Sequence, residues 1–340
     1  MANVGRLLKA CEAAGRWANR GPLYREMQAA FASFMALRAD VQLTPVANGG
    51  IALEAMARLH QRQLGRPLRW VGCSYGFRNL GRGYFSDIVF VDCDERGLLD
   101  LDALRLLDPA SYDGVIVTNP LGLYSDFSAY FDFARERQVP LLLDNAAGIA
   151  KSMPDWPWQA FSLHHTKPFG MGEGGMALTP ADHAEALYEL IDYSDLTGAP
   201  DDWMTNGKLS DLSCAFILDR LERADEWMAQ YAVQRERITA LARMAGLRPL
   251  AEAPSTAPLM SVAFLCEAPL PVSALAAMEH VPAAKYYEPL CETKNARQVY
   301  DHVICLSAHA EMARVSDTQI SADLDRLMSP EGIGRAAAGH

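Results

Sequence analysis

Residues 113–144 read DGVIVTNPLGLYSDFSAYFDFARERQVPLLLD, and this stretch contains the unit on which the fold is built. Two apolar runs, at 113–118 and 139–144, flank a helical segment at 126–138. Runs that are apolar at almost every position are typical of strands covered on both faces, which occur mainly in parallel sheets. The stretch therefore predicts a strand–helix–strand unit of an α/β fold with a mainly parallel sheet.

The same alternation extends in both directions along the chain. Further strands are predicted at 68–73, 87–91, 160–164 and 175–179, and further helices at 4–38 with a break at 20–22, 51–63, 98–107, 181–193 and 208–244. Repeated strand–helix alternation of this kind favours one large α/β domain over a bundle or an all-β fold.

A Pro-, Ala- and Ser-rich segment at 251–258 predicts a linker between two domains. Beyond it, we predict a small α+β domain with strands at 259–266, near 285–287 and near 303–306, and helices at 272–279 and 317–328. The predicted organisation is a large domain at 1–250, a small domain at 251–330 and a Gly/Ala-rich tail at 331–340.

The composition excludes several classes of protein. The 340 residues are 50% hydrophobic with a formal net charge of −11, which is typical of a globular chain and argues against a nucleic-acid-binding or anionic-membrane surface. The sequence contains neither a run of 18 apolar residues nor an apolar signal segment near its start, so neither a membrane span nor secretion is expected. Seven cysteines without a CxxC pair favour a reducing, cytoplasmic location over a disulfide framework or a zinc cluster.

Polar groups at strand ends are the first candidates for function, because ligands of open α/β sheets bind at the carboxyl ends of the strands. Asp144 ends the most apolar strand, where a carboxylate either caps a helix or acts on a ligand. Gly49 and Gly50 follow Asn48 at the start of a predicted helix, where free amides can bind an anion. An ordinary turn and an ordinary helix cap are the alternative interpretations of these features.

Residues 162–167 are the most informative segment for chemistry. Ser162, His164, His165 and Lys167 lie at the end of a predicted strand, and the glycine-rich turn GMGEGG at 170–175 follows at once. Glycine allows a backbone to approach a ligand closely, although a surface lysine is the simpler interpretation of Lys167 alone. The histidine pair lacks ligand spacing typical of a metal site, so we predict no metal.

Taken together, these groups fit a pyridoxal 5′-phosphate site. Such a site needs a lysine that forms a Schiff base and moves protons, a carboxylate on the pyridine nitrogen, a phosphate cradle and an aromatic ring against the cofactor. Lys167 and Asp144 supply the first two functions, and Gly49, Gly50 and Ser162 supply the cradle. Phe77, in the segment SYGF at 74–77, supplies the ring.

The chain resembles the DegT-type, or sugar aminotransferase, family of fold-type I pyridoxal phosphate-dependent enzymes, from about residue 18 to residue 328. The stretch FSLHHTKPFGMGEGG at 161–175 is the most specific part of the resemblance. NGGIAL at 48–53 is similar to the family's SGTAAL-like phosphate turn, SYGF at 74–77 to PSFTF or PSFTW, and LDNAA at 143–147 to EDAAQ or EDAAH. The resemblance implies the fold-type I architecture, with a seven-stranded, mainly parallel sheet and a small C-terminal α+β domain.

The resemblance also implies roles for two later segments. NGKLSDL at 206–212 is similar to the family's N-x-[RK]-M-S-E-L, which implies that Asn206 binds the cofactor phosphate of a neighbouring subunit in a homodimer. KYYEPL at 285–290 is similar to a C-terminal substrate segment, so Lys285, Tyr286 and Tyr287 are candidate substrate contacts. His164 is a further candidate substrate contact, with a structural histidine as the alternative.

Some residues depart from the family pattern. Ala147 stands where the family has a Gln or His that contacts the cofactor, so one polar contact is either missing or supplied elsewhere. Asn48 and Gly50 replace hydroxyl residues of the cradle, and NPLG at 119–122 replaces His-Leu-Tyr-Gly. The cofactor site therefore resembles the family more closely than the substrate wall does.

The predicted function is a pyridoxal phosphate-dependent aminotransferase of sugar or secondary-metabolite biosynthesis. The predicted donor is L-glutamate or L-glutamine, and the predicted acceptor is a keto-sugar or a related carbonyl compound such as a cyclitol ketone. One alternative is dehydration or elimination on the same cofactor, and another is a non-catalytic regulatory protein on this scaffold. A nucleotide-binding protein is disfavoured, because the sequence has neither GxxxxGK[ST] nor a GxGxxG that leads from a strand into a helix.

Overall fold

The computed structural model describes residues 3–193, 205–251 and 256–329. The helices are α1 (Val4–Ala14), α2 (Pro22–Phe34), α3 (Gly49–Leu64), α4 (Leu101–Leu106), α5 (Ser128–Arg137), α6 (Ala184–Leu190), α7 (Asp211–Glu222), α8 (Ala224–Met244), α9 (Lys294–His302) and α10 (Asp317–Met328). The strands are β1 (Val41–Val46), β2 (Trp70–Cys73), β3 (Val89–Val91), β4 (Gly114–Thr118), β5 (Leu141–Asp144), β6 (Gln159–Ser162), β7 (Gly175–Pro180), β8 (Arg248–Pro249), β9 (Ser261–Leu265), β10 (Ala283–Ala284) and β11 (Val303–Ser307).

A seven-stranded sheet forms the centre of the molecule, in the order β1-β7-β6-β5-β4-β2-β3. β2, β3, β4, β5 and β6 run parallel, whereas β7 runs antiparallel to both β6 and β1. Every residue of β4 and β5 is buried, as their apolar sequences require. The predicted mainly parallel sheet is confirmed.

The sequence analysis missed β1 as a strand. Pro45 lies inside β1 and lacks the amide hydrogen that a central strand needs for its ladder, so the segment does not look like a strand in the sequence. In the part of the chain that the structure describes, β1 is an edge strand of the seven-stranded sheet and pairs with β7, and proline is tolerated at such an edge. The predicted helical stretch at 208–244 is also two helices, α7 and α8, which meet at Arg223.

A second, antiparallel sheet has the order β10-β11-β9-β8. The helix predicted at 272–279 is a short 3-10 helix at Val272–Ala277, and the strand predicted near 285–287 lies two residues earlier, as β10. α9 was not predicted, because only Ala296 and Val299 of its nine residues are buried and its sequence is mostly polar. The boundary between residues 250 and 251 stays a prediction, and the predicted tail at 331–340 lies outside the described residues.

Within the described residues, no helix is both long enough and apolar enough to cross a membrane.

The buried carboxylate of Asp211 joins α2 to the start of α7. Asp211 accepts hydrogen bonds from the backbone amides of Gly21 at 3.2 Å, Leu23 at 2.8 Å and Tyr24 at 3.2 Å. These are amides at the first turn of α2, which have no partner inside their own helix. Asp211 thus caps a helix from almost 190 residues away in the chain.

We expect Asp211→Ala to lower the free energy of unfolding by about 2–4 kcal/mol, because buried amides lose a charged acceptor. Urea denaturation measures this loss. The control is Asp225→Ala, which removes a carboxylate paired with Lys151 at the surface and should change stability by less than about 1 kcal/mol. Equal effects of the two substitutions would show that the Asp211 cap contributes nothing specific.

Candidate active site

A cavity of about 430 Å³ lies at the carboxyl ends of β4, β5 and β6, beside the start of α3. Its walls come from the loops after these strands, from the loop after β2 and from the segment after β10. The lining residues are Asn48, Gly49, Gly50, Phe77, Asn79, Thr118, Asn119, Leu121, Asp144, Ala146, Ala147, Ser162, His164, Thr166, Lys167, Glu173 and Tyr287.

Asp144 and Lys167 form the charged centre of the cavity. Asp144 ends β5 and is 7% exposed. Burial raises the pKa of the Asp144 carboxyl, and the charge of Lys167 opposes that rise. Burial also lowers the pKa of the Lys167 amine, and Asp144 opposes this change in turn. Each residue therefore stabilises the charged form of the other at a site that is partly shielded from water.

A tight turn after β6 positions Lys167. The Lys167 amide donates to the carbonyl of His164 at 2.8 Å, and the Gly170 amide donates to the carbonyl of Lys167 at 2.9 Å. A β-carbon at Gly170 would lie 1.8 Å from the His164 carbonyl oxygen. The turn therefore requires glycine at position 170, which explains part of the glycine-rich sequence after the lysine.

The start of α3 provides an anion-binding site beside Ser162. The Asn48 side chain caps α3 by accepting from the amide of Ile51 at 2.9 Å, which leaves the Gly49 and Gly50 amides on the cavity wall. A β-carbon at Gly175 would lie 2.6 Å from the Gly49 nitrogen. Only glycine at 175 lets β7 approach the start of α3 this closely.

Two aromatic residues border the cavity. Phe77 is 59% exposed although it lines the cavity, so its ring can cover a bound ligand. The Tyr287 hydroxyl accepts from the amide of Leu121 at 3.4 Å, and its ring packs edge-on against Tyr75 with centroids 5.8 Å apart. Tyr286 lies outside the cavity, with 46% of its surface exposed.

Two other predicted residues also lie outside the cavity of their own chain. The Lys285 amine donates to the carbonyl oxygens of Asp301, at 2.9 Å, and Leu270. A direct substrate contact would require this amine to leave both carbonyls, so its placement does not support the substrate contact predicted for Lys285. Asn206 is exposed, and its backbone forms a bridge with Asp192.

His164 lies on the cavity wall next to Lys167. Its Nδ1 atom is 2.8 Å from the Thr166 hydroxyl oxygen, and its Nε2 atom is 3.5 Å from a carboxylate oxygen of Glu173. The imidazole is thus fixed from both sides by groups that line the same cavity. His164, Thr166 and Glu173 thus give the cavity a polar part of its wall, whereas Leu121 and Ala147 contribute apolar surface.

Asn79 and Thr118 are among the polar cavity residues that the sequence analysis did not predict as site residues. Thr118 lies directly opposite Asp144 in the register of β4 and β5, and Asn79 lines the same cavity, where its side chain opposes the rise in the pKa of the Asp144 carboxyl. The Asn79 Oδ1 and Thr118 Oγ1 atoms are buried without a hydrogen-bond partner among the described residues. Thr118 ends a predicted strand and could have been found on that ground, whereas Asn79 had no sequence signal.

A chain of buried amides holds the loops after β4 and β5 in place. Asn119 donates to Asn145 at 2.8 Å, and Asn145 donates to Gln159 at 3.1 Å. Gln159 in turn donates to the carbonyls of Pro154 and Trp156. Because each amide has a partner, the network fixes the backbone on either side of Asp144.

A model of the DegT/DnrJ/EryC1/StrS aminotransferase family matches residues 3–325. This chain belongs to that family. DegT-family aminotransferases depend on pyridoxal 5′-phosphate, and solved structures of similar fold include a PLP form and a PMP form. The predicted family and cofactor are thereby confirmed.

Two curated relatives are similar in sequence to this DegT-family member. Protein Rv3402c of Mycobacterium tuberculosis is 32% identical over 127 residues, which cover 34% of this chain and 31% of the relative. This chain thus matches less than a third of that mycobacterial protein. The L-glutamine:2-deoxy-scyllo-inosose aminotransferase of Streptoalloteichus tenebrarius is 27% identical over 324 residues, which cover 81% of this chain and 73% of the relative.

Solved structures share the architecture of this family member. A DegT DnrJ EryC1 StrS aminotransferase from Brucella abortus has a TM-score of 0.79 at 18% identity, covering 95% of this chain and 94% of that one. The PMP form of a sugar aminotransferase from Streptococcus pneumoniae has a TM-score of 0.81 at 14% identity, covering 99% and 97%. At these identities the similarity concerns the fold, and it confirms the predicted fold class.

Proposed function

We propose that this protein is an aminotransferase that moves an amino group from L-glutamate or L-glutamine to a keto-sugar or a cyclitol ketone. The single observation that carries the proposal is that Lys167 and Asp144 line one cavity together with the start of α3, where the charge of each favours the charged form of the other. An amine, a carboxylate and an anion-binding helix end are the groups that pyridoxal 5′-phosphate requires.

The cavity residues fit this cofactor. Lys167 would hold it covalently through the amine, and Asp144 would pair with its protonated pyridine nitrogen. The Gly49 and Gly50 amides and the Ser162 hydroxyl would bind its phosphate, with Asn48 holding the helix end in shape. The Phe77 ring would lie against its face. When bound, the cofactor supplies an electron sink for a carbanion at the amino acid's α-carbon.

Lys167 is also the group that would move the proton. Burial lowers the pKa of this amine, which makes its neutral form more available near neutral pH. A neutral Nζ could take the proton from the α-carbon of the donor and return it at the cofactor carbon bonded to the amino nitrogen, C4′. The fixed turn around Lys167 limits the positions that the amine can reach, which favours transfer between two nearby atoms.

The relative from Streptoalloteichus tenebrarius supports the choice of donor and acceptor. Its name states L-glutamine as the donor and 2-deoxy-scyllo-inosose as the acceptor, and it matches 81% of this chain. The pathway implied for the present chain is sugar or secondary-metabolite biosynthesis. His164, with Thr166 and Glu173, would contact the polar groups of the substrate, and Tyr287 would border it from the opposite segment.

The proposal includes a homodimer with active sites at the subunit interface. Asn206 lies outside the cavity of its own chain and is exposed, as a residue that reaches a partner's cofactor phosphate must be. Its segment is anchored by the Gly207 amide, which donates to the Ile191 carbonyl at 3.0 Å, and by an ion pair between Lys208 and Asp192. A fixed segment can present Asn206 in a defined direction.

The half-reaction tests the proposed function directly. The protein is loaded with pyridoxal 5′-phosphate, and its visible absorbance band is followed while L-glutamine or L-glutamate is added without an acceptor. We expect the band to disappear with release of one equivalent of the matching 2-oxo acid, and to return when 2-deoxy-scyllo-inosose or a nucleotide-linked keto-sugar is added. The same additions to free cofactor serve as the control. A bound cofactor that no amino acid alters would instead favour elimination or dehydration.

A further inference from the structure

Tyr75 is a buried tyrosine to which the proposed function assigns no role. It lies in the loop after β2, two residues before Phe77, and 1% of its surface is exposed. Its hydroxyl donates to the backbone carbonyl of Tyr286, in the segment that follows β10. A loop of the seven-stranded sheet thus holds the backbone of a segment that follows a strand of the smaller sheet.

The Tyr75 ring is closely packed against both parts of the molecule. A β-carbon at Gly97, in the turn after β3, would lie 2.8 Å from a ring carbon of Tyr75, so glycine is required there. The same ring packs edge-on against the Tyr287 ring, with centroids 5.8 Å apart. Because an aromatic pair has a preferred geometry, a fixed Tyr75 ring restricts the position of Tyr287.

Two further hydrogen bonds join the same two segments. The Leu290 amide donates to the Ser74 carbonyl at 2.8 Å, and the hydroxyl oxygens of Ser74 and Thr293 are 2.7 Å apart. Together with the bond from Tyr75 to Tyr286, they attach residues 286–293 to the loop after β2 at three points. The segment therefore has a defined position relative to the cavity.

Tyr287 is the residue through which this segment reaches the cavity. Its hydroxyl oxygen accepts from the Leu121 amide at 3.4 Å, and a phenol that accepts a hydrogen bond still has a proton to donate. Burial raises the pKa of the Tyr287 phenol, so the proton stays on the oxygen at neutral pH. This hydroxyl fits an acceptor on a ligand, such as a carboxylate or carbonyl oxygen.

We propose that Tyr75 is a positioning residue for substrate binding, which holds Tyr287 where its hydroxyl donates to an oxygen of the bound substrate. The inference rests on the proposed function. The cofactor contacts proposed for Lys167, Asp144 and the start of α3 come from other segments of the chain. Loss of either tyrosine hydroxyl therefore weakens the binding of substrate and leaves the affinity for the cofactor unchanged.

The half-reaction of the cofactor-loaded protein tests this inference in two single variants. Tyr75→Phe removes only the hydroxyl that binds the Tyr286 carbonyl, and Tyr287→Phe removes only the hydroxyl in the cavity. The rate at which the cofactor band disappears is measured against the concentration of the amino acid that the wild type accepts, L-glutamine or L-glutamate. Each variant should raise the half-saturating concentration about three- to tenfold, as expected for one hydrogen bond, and change the limiting rate less than about twofold.

The double variant shows whether Tyr75 acts through Tyr287. If it does, Tyr75→Phe has nothing left to misplace once the Tyr287 hydroxyl is gone, so the two effects are not additive. We expect the half-saturating concentration of the double variant to be within about twofold of that of Tyr287→Phe.

Tyr130→Phe is the matched control. The buried Tyr130 hydroxyl also donates to a backbone carbonyl, that of Leu99 at 2.6 Å, but Tyr130 lies outside the cavity lining. This variant should keep the wild-type half-saturating concentration. The dissociation constant of pyridoxal 5′-phosphate, measured by quenching of tryptophan fluorescence, should be unchanged in every variant, and circular dichroism verifies that each is folded.

Three results would overturn the inference. They are a wild-type half-saturating concentration in either single variant, effects that multiply in the double variant, and an equal loss of affinity for cofactor and amino acid in Tyr75→Phe. Failure of the wild type itself to bind the cofactor or to respond to an amino acid is a distinct outcome, which overturns the proposed function and with it this inference.

Discussion

Replacement of Lys167 by alanine should reduce amino transfer by at least about a thousandfold, because the proposed function gives this amine both the covalent attachment of the cofactor and the proton transfer. Release of the 2-oxo acid from L-glutamine or L-glutamate measures the effect. Among the described residues that line the cavity, no other side chain carries an amine, and Glu173 is an acid.

The substitution Lys167→Arg distinguishes the positive charge of Lys167 from the ability of its amine to bind the cofactor covalently and to accept a proton. Arginine keeps a positive charge near Asp144, but it stays protonated at every accessible pH and cannot accept a proton from the donor. We therefore expect Lys167→Arg to be as inactive as Lys167→Ala. Lys151→Ala, at an exposed lysine paired with Asp225, is the matched control and should keep full activity. Substantial transfer by Lys167→Arg would contradict the proposed role of the Nζ atom.

Asp144→Asn should have the second largest effect. The substitution keeps the shape of the side chain but removes the negative charge that we propose pairs with the protonated pyridine nitrogen of the cofactor. Breaking a buried ion pair costs about 3–5 kcal/mol, so we expect the turnover number to fall by about a hundredfold or more. Steady-state kinetics with a saturating donor measure the change, and Asp132→Asn on the surface of α5 is the control.

The pH dependence of amino transfer provides a second test of the role proposed for Asp144. Burial raises the pKa of Asp144, so activity should fall as the pH decreases through this raised value and the carboxyl becomes neutral. Asp144→Asn has no such group, and the corresponding limb of its profile should be absent. If Asp144→Asn lost activity at low pH in the same way as the wild type, the loss would have to come from the titration of another residue.

Several residues of the cavity lie where their local sequence predicts them. Lys167, Asp144 and Ser162 each stand at or just after the end of an apolar run, so their position at one edge of a parallel sheet could be predicted. Asn48, Gly49 and Gly50 could be predicted because a helix start is a local feature of the chain. All six line the cavity.

Other residues could not be placed in this way. Tyr286 and Tyr287 are neighbours in sequence, but only Tyr287 reaches the cavity, and this depends on how the segment after β10 packs against Tyr75. Lys285 lies near them in the chain, yet its amine binds two carbonyls elsewhere. Asn206 lies outside the cavity of its own chain, so a role in the site depends on a second subunit.

The sequence by itself determined the mainly parallel α/β sheet and the family, and it predicted that Lys167 and Asp144 lie at one edge of that sheet, because apolar patterns and strand-end residues are features of the local sequence. Tertiary structure alone decided that Asp211 caps α2, that β1 forms a sheet edge despite Pro45, and that Asn79 and Thr118 line the same cavity as Asp144. These contacts join residues far apart in the chain, and their existence depends on the directions in which packed elements point their side chains.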